Sequence, residues 1–241
     1  MHTRTYLISS SKGGAAKSSL SLVGAVLLPK NKDLHGNTIP NGLVDIDPQG
    51  TSLNVCKKRI ESGVAAPSVA AANIGGIHKS VEKFINDGVG NIVIDSPPNV
   101  ENRRIRQEAL QNPHLNMVVI PTKMGDDDTD AAIQTAVEAV EAGKDFVFVM
   151  TMVKKSNFLE YAKDKLENAA EKLGGALCPA MTFDRIAWME ARFFNQIVNE
   201  YEAKGLAAKE AKQVWVWIHN YTKKKIKQRA DNIKEFKVEM E

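Results

Sequence analysis

Short apolar runs recur along most of the chain, separated by longer stretches of helical period. Thr5 to Ser9 predicts a strand, followed by a Gly-rich turn and a helix from about Ser18 to Leu28. Gly42 to Ile46, Asn91 to Ile94, Met117 to Ile120 and Phe146 to Met150 predict further strands, with Pro121 expected to stop the third of these. Helical patterns fall at Ile77 to Asp87, Glu101 to Leu110, Asp130 to Glu141 and Asn157 to Leu173. Strands that are apolar at consecutive positions are buried on both faces. The expected fold class is therefore α/β, a mostly parallel sheet flanked by helices. From about Ile186 the strand pattern stops. Two long helical patterns, Ile186 to Lys204 and Ala207 to about Glu235 with Gly205 between them, predict a helical extension over 186–241 packed on a core of residues 1–185.

The composition narrows the class. A chain of 241 residues buries a sizeable core. Its longest apolar run, Leu20 to Leu28, is interrupted by Ser21 and Gly24 and falls short of the roughly 20 residues a bilayer span needs. The opening MHTRTYLISSSKGG lacks the apolar region of a secretory signal. Cys56 and Cys178 are too far apart to suggest a disulfide framework or paired metal ligands, so a reducing cytoplasm is expected. The 32 Lys and Arg against 29 Asp and Glu exclude a supercharged nucleic-acid binder but leave room for local basic patches.

The sharpest motif is SSSKGGAAKSS, Ser9 to Ser19, lying between a strand and a helix. Gly13 and Gly14 let the backbone bend so that successive amides face one point, and the helix adds its positive N-terminal end, making an anion site. The loop Gly13, Gly14, Ala15, Ala16 with Ser19 cradles phosphates, Lys17 supplies a cation toward the β- and γ-phosphates, and Ser18 a hydroxyl for Mg²⁺. The common GxxxxGK[ST] pattern is not met, because Ser11 and Ala16 stand at its glycine positions. The variant KGGxxK[ST] is met, with Lys12 just before the glycines.

On these residues the chain resembles the ParA/MinD family of deviant Walker A ATPases, which are P-loop NTPases. The resemblance implies ATP and Mg²⁺ as cofactors and a homodimer on ATP binding, with Lys12 reaching across the dimer to the phosphates held by the other subunit. Two acidic motifs extend it. LVDIDPQG, Leu43 to Gly50, puts Asp45 and Asp47 on one face if strand alternation holds, at the strand's C-terminal edge where open α/β sheets bind ligands. In the family this is switch I: the residue matching Asp47 polarises the attacking water and the one matching Asp45 helps hold Mg²⁺. IVIDSPP, Ile92 to Pro98, ends a hydrophobic strand in Asp95, the pattern of a Walker B motif whose carboxylate accepts hydrogen bonds from Mg²⁺-bound water. The stretch VVIPTKMGDDDTDAA also resembles a family strand that ends in Pro before a helix, and Asp126 to Asp128 read as helix-start residues rather than metal ligands. The resemblance covers roughly Thr5 to Met150. The chain departs from the family at HGNTIPNG, at Ala16, and at Thr151, which stands where an asparagine commonly reads adenine.

The family's outputs differ. Cys56 and Cys178 do not sit where an iron–sulfur branch would hold a shared cluster. TKKKIKQR, Thr222 to Arg229, carries Lys223, Lys224, Lys225, Lys227 and Arg229 without an acid, which suits phosphate contacts of nonspecific DNA; a solvated helix face is the alternative. A membrane-surface helix is poorer, with Ile226, Ile233, Phe236 and Val238 interspersed with Asp231 and Glu235. Trp215, Trp217, Ile218 and Tyr221 are expected to pack on the core rather than stack on bases. The short form of the family, without a helix-turn-helix before the P-loop, implies plasmid partition with a centromere-binding adaptor and a nucleoid-associated, cytoplasmic location. A MinD-like membrane-positioning ATPase and a nucleotide-binding regulator that does not hydrolyse are the alternatives.

Overall fold

A computed structural model of the chain describes residues 3–97 and 103–239, with side chains described up to residue 232. Pro98 and the expected helix start at Glu101 lie outside the described residues, as do the side chains of Ile233, Glu235, Phe236 and Val238. The chain begins with β1 (Arg4–Ile8), α1 (Lys17–Leu27), β2 (Asn31–Lys32), β3 (Thr38–Ile39), β4 (Gly42–Asp45) and α2 (Thr51–Glu61). β5 (Ser68–Ala71), α3 (Ile77–Asn86), β6 (Asn91–Asp95), α4 (Arg103–Leu110), β7 (Leu115–Thr122) and α5 (Asp126–Glu141) follow. It continues through β8 (Phe146–Met150), α6 (Phe158–Leu173), β9 (Ala176–Leu177), α7 (Ile186–Phe193), α8 (Val198–Tyr201) and α9 (Leu206–Glu239).

Seven strands form one sheet in the order β5-β4-β6-β1-β7-β8-β9, and every neighbouring pair is parallel. Alternation along each strand sends side chains to opposite faces. Leu7, Val44, Ile94, Val118 and Phe148 meet α3 to α6 on one face, while Tyr6, Ile8, Leu43, Val93 and Val149 meet α1, α2 and α7 to α9 on the other. This two-sided burial is why the strands read as unbroken apolar runs. Cys56 and Cys178 are buried free thiols on the second face.

Several elements differ from the sequence reading. β7 runs through Pro121 to Thr122 instead of stopping at it. The carbonyl of Val119 accepts from Ser9 N at the end of β1, and alternation turns Pro121 to that same side, one step beyond the last β1 residue. No ladder donor is missing there, so proline is tolerated. α5 starts four residues before the expected Asp130, with Asp126, Asp127 and Asp128 in its first turn where the helix dipole favours acids. The first long C-terminal pattern is split into α7 and α8, because Asn195 takes a left-handed φ of 56° just past the end of α7. The segment HGNTIPNG supplies β3 of the β2–β3 antiparallel ribbon before Gly42 opens β4, and the ribbon's turn is closed by Asp33 accepting from the amides of His35 and Asn37.

α9 is laid directly on the first helix. Trp215, 1% exposed, donates its indole N–H to the Leu20 carbonyl at 3.0 Å and meets the Tyr6 ring edge-on at 5.7 Å. Its ring lies where a side chain on Gly24 of α1 would be: a Cβ there would come within 2.2 Å of Trp215 Cζ2. Trp217 stacks on Tyr221 at 5.0 Å and is partly buried against the same face, so both tryptophans pack as expected. Among the described residues, no helix is long and apolar enough to cross a membrane.

Candidate functional site

Strand register brings the three sequence motifs to one edge of the sheet. Ile8, the last residue of β1 before the Gly-rich turn, is paired with Asp95 of β6, and Asp95 is aligned with Asp45 of β4. Neighbours separated by 50 and 87 positions in sequence thus end their strands side by side, at the carboxyl edge where open α/β sheets hold ligands.

The turn from Ser9 to Ser19 has the left-handed residues its bend requires. Gly14 has φ 71°, and Ala16, the residue before α1, has φ 57°. Ala16 therefore takes the conformation a glycine would hold, at the cost a Cβ brings there. α1 has no side-chain cap and no acid in its first turn, so the amides at its start are left to another acceptor. Lys17 is 6% exposed and donates from Nζ to the Lys12 carbonyl at 3.0 Å. Burial pushes its pKa down, while Asp95 and Asp47 pull it back up. Lys12 itself points its side chain to solvent. Neighbouring elements clamp the turn: Ser11 Oγ donates to Ala131 O at 3.2 Å, and Thr151 Oγ1 donates to Ala15 O at the same distance. The Thr151 hydroxyl is thus engaged with the loop backbone, in the place where the family resemblance would put a base-reading asparagine.

The three carboxylates differ in setting. Asp95 is fully buried and accepts from Ser21 Oγ at 2.9 Å and Ser52 Oγ at 2.5 Å, with Ser18 as a further hydroxyl partner. Burial raises its pKa to about 6, with the serine hydroxyls opposing. Asp45 is also buried; it accepts from Leu53 N at 2.8 Å and Asp47 N at 3.0 Å, and burial raises its pKa. Its carboxylate therefore also closes the start of α2. Asp47 is not the strand neighbour that alternation predicts. β4 ends because the ladder gives out after the Ile46 amide reaches Asp95 O: the Asp47 amide folds back onto the Asp45 carboxylate, and Asp47 sits half-buried in the following loop, accepting from Gln49 N at 2.9 Å.

An Mg²⁺ ion fits this donor set in a particular way. Among the described residues, no three His, Cys, Asp or Glu side chains gather around one point. Mg²⁺ retains waters and takes phosphate oxygens rather than needing a protein cage. One hydroxyl, Ser18, beside the outer carboxylates Asp95 and Asp45 is enough for such an ion. Ser96 Oγ, next in chain to Asp95, is buried without a hydrogen-bond partner, an orphan that a bound group could satisfy.

The basic C-terminal residues do not join this site. Arg229 pairs with Asp145 at 2.9 Å and Lys225 with the same carboxylate at 3.8 Å, just before β8 and so at the opposite edge of the sheet. Lys223, Lys224 and Lys227 stand exposed on α9.

Sequence reasoning missed Ser21, Ser52 and Lys123. Ser21 left a trace, a hydroxyl interrupting the buried stripe of α1. Ser52 lay in a helix that the apolar pattern did not reveal. Lys123, just after β7, is brought to the turn by folding alone: its Nζ would be 3.2 Å from a Cβ on Gly14. A small, partly open cleft adjoins Ser18 and Ser19, walled by Val23, Val55, Trp188 and Ile197. On the rim of that region α7 exposes Ile186, Met189 and Phe193, which share one stripe at helical spacing.

No protein-family model and no curated protein matches the chain. Solved structures do. The cell-division ATPase MinD of Pyrococcus furiosus is similar with a TM-score of 0.66 and 16% identity, covering 90% of this chain and 99% of that one. A putative plasmid partition protein of Borrelia burgdorferi bound to AMPPNP has a TM-score of 0.66 and 15% identity, covering 91% and 99%. MinD of Pyrococcus horikoshii complexed with Mg-ADP has a TM-score of 0.63 and 14% identity, covering 88% and 94%. The structural neighbours are MinD/ParA-type ATPases, and at these identities the likeness is one of fold: a parallel sheet flanked by helices, as in P-loop NTPases.

Proposed function

We propose that this chain is an ATP-driven dimeric switch that binds DNA without sequence preference in its ATP state and partitions plasmid DNA with a centromere-binding adaptor. The observation that carries the nucleotide part is the alignment of Ile8, Asp95 and Asp45 on adjacent strands, which sets the lysine-bearing turn beside the carboxylates. In this reading the amides of Gly13 to Ser19 and Lys17 hold the phosphates, and Lys12, free in solvent, serves the nucleotide of a second copy. Ser18, with Asp45 and Asp95 behind it, would hold Mg²⁺, which would supply positive charge to the phosphate oxygens. Asp47 orients the water that attacks the γ-phosphorus; the bond to the β–γ bridging oxygen breaks, and ADP and phosphate leave. The exposed stripe on α7 supports a protein contact close to the same edge. The exposed Lys223, Lys224 and Lys227 support the DNA part, since they are cations within one turn of each other midway along α9 with no paired acid among the described residues.

The test uses the purified chain with nonspecific duplex DNA or anionic liposomes, under ATP·Mg²⁺ or ADP. ATP-dependent, salt-sensitive retention on DNA without liposome binding is expected. Liposome pelleting without DNA retention overturns the DNA assignment in favour of membrane positioning. ATP binding with no phosphate release, even with DNA and adaptor present, overturns hydrolysis and leaves a regulator. Lys17→Ala should lose nucleotide binding, whereas Asp47→Ala should hold ATP and release phosphate at least ~100-fold more slowly, the scale of a positioned proton-accepting group. Normal turnover by Asp47→Ala refutes the role given to that carboxylate.

A further inference from the structure

We infer that Lys123 is a third phosphate-binding cation, delivered to the turn by the β7–α5 connection of the same subunit, and that it recognises the terminal phosphate of a nucleoside triphosphate. The inference deepens the nucleotide-site reading above and rests on it.

Three observations converge on this side chain. First, the ammonium lies against the turn: a Cβ on Gly14 would meet Lys123 Nζ at 3.2 Å and Cε at 3.9 Å, with no other atom within 4 Å. The missing side chain of Gly14, needed anyway for its φ of 71°, is what gives the ammonium its room. Second, Lys123 is only half-exposed, yet among the described residues its Nζ makes no hydrogen bond and no ion pair. Of its acidic neighbours in the connection, Asp126 pairs with Lys165 at 2.6 Å, and the Asp128 backbone carbonyl accepts from Thr122 Oγ1 at 3.0 Å. Third, the backbone around Lys123 is held. Thr122 Oγ1 also donates to Lys123 O at 3.1 Å, and the next strand docks there through Thr151 N to Thr122 O at 2.8 Å. The lysine thus projects from a fixed base rather than from a free loop.

Electrostatics say what this placement is for. Lys17 and Lys123 bring two ammonium groups to one short turn, which also carries the backbone of Lys12 and the positive end of α1. Like charges gathered around a concave backbone repel one another, and among the described residues Lys17 is compensated, through a carbonyl and two carboxylates, while Lys123 has no such partner. A ligand bearing several negative charges turns that repulsion into attraction. Gly14 precedes Ala15, Ala16 and the helix start, so Lys123 adjoins the leading end of the turn, while Ser18 and Ser19 mark the trailing end beside the cleft. A polyphosphate lying along the turn with its organic part toward the cleft presents its terminal phosphate to Lys123. Triphosphate is then bound more tightly than diphosphate by an additional contact that belongs to the subunit itself, independent of a second copy supplying Lys12.

The experiment compares wild type, Lys123→Met, Lys123→Arg and Lys17→Ala at matched salt, by titration with fluorescent ATP and ADP analogues in Mg²⁺ and by thermal melting with and without nucleotide. Lys123→Met is expected to lose about tenfold in ATP affinity with ADP affinity changed less than twofold, and Lys123→Arg to keep most of the ATP affinity. Lys123→Met is also expected to melt higher than wild type without nucleotide, because a crowding charge is gone, yet to gain less from ATP. A purely structural lysine would give the reverse: a lower ligand-free melting temperature and equal loss for both nucleotides. Equal loss, or unchanged ATP affinity in Lys123→Met while Lys17→Ala loses binding, overturns the inference and leaves the nucleotide site intact. Wild type that fails to bind ATP·Mg²⁺ at all overturns the nucleotide-site reading itself, and this inference with it.

Discussion

Gly24→Ala tests how α9 is held on α1, the helix that follows the Gly-rich turn. Helix propensity alone says the substitution stabilises α1 by about 1 kcal/mol, since glycine is that much poorer than alanine in a helix interior. The packing says otherwise. The new methyl would sit 2.2 Å from Trp215 Cζ2 and 2.5 Å from Cε2, well inside contact, and the ring has no free side to move to at 1% exposure. Displacing it weakens the edge-on contact with Tyr6, worth about 1 kcal/mol. It also strains the buried indole N–H bond to Leu20 O, whose loss costs about 1–3 kcal/mol. Overpacking adds roughly 1–3 kcal/mol of its own. Against the 1 kcal/mol gain, these terms leave a net destabilisation of about 3 kcal/mol, a fall in Tm of roughly 6–12 °C for a chain of this size. Urea titration and calorimetry read the effect, and the Gly24→Ala/Trp215→Leu double variant separates it from other causes. The methyl should cost much less once the indole is absent, a coupling of more than about 1 kcal/mol. A stabilised single variant, or costs that simply add, would refute the claim that the indole occupies the missing side chain of Gly24.

The remaining predictions are independent of that contact. Ala16→Gly removes the Cβ from a left-handed residue at the loop's end; stability by urea titration should hold or rise by up to about 1 kcal/mol, with nucleotide binding retained. A clear loss of stability would mean that the alanine methyl does something other than strain the turn. His219 shares a 2.9 Å hydrogen bond with Tyr6, and burial, aided by Arg4 and Lys223, lowers its pKa to about 4. Above pH 6.5 the ring is neutral in both states; as pH falls from 6.5 toward 4 the unfolded chain takes a proton that the fold refuses, so stability declines. Because the ring is half-exposed the decline should be only about 1–2 kcal/mol, and His219→Asn should flatten it; an unchanged pH slope in that variant would contradict the assignment. On DNA, the exposed Lys223, Lys224 and Lys227 predict that log K falls with log salt at a slope near −3 per protomer. Replacing all three by Gln should remove most of that slope, whereas Lys225→Gln, whose charge already faces Asp145, should change it by less than 1.

The residue order alone carried the nucleotide-site motif and the layering of the fold. Strands buried on both faces have no polar alternation, and Ile92 to Ile94 or Phe146 to Val149 can belong to little else than a covered parallel sheet. Gly13, Gly14 and Lys17 are legible because a turn that aims its amides at one point before a helix needs those residue types at that local spacing. Whatever depended on contacts between distant segments was settled only by folding. Pro121 reads as a stop until β1 is seen to end before reaching it. Asp47 reads as a strand residue until its amide is seen folded back onto the Asp45 carboxylate, and Asn195 reads as helical until its left-handed φ divides α7 from α8. The basic run at Thr222 to Arg229 looks uniform in sequence, yet one acid, Asp145, claims two of its charges because α9 passes that corner of the sheet. Lys123 is the sharpest case. Beside Thr122 it is one more surface lysine, and only the parallel register of β1 with β7 puts its ammonium over the glycine of a turn more than a hundred residues earlier. Local spacing records what a short segment must do by itself; register and packing decide which distant charges it does it with.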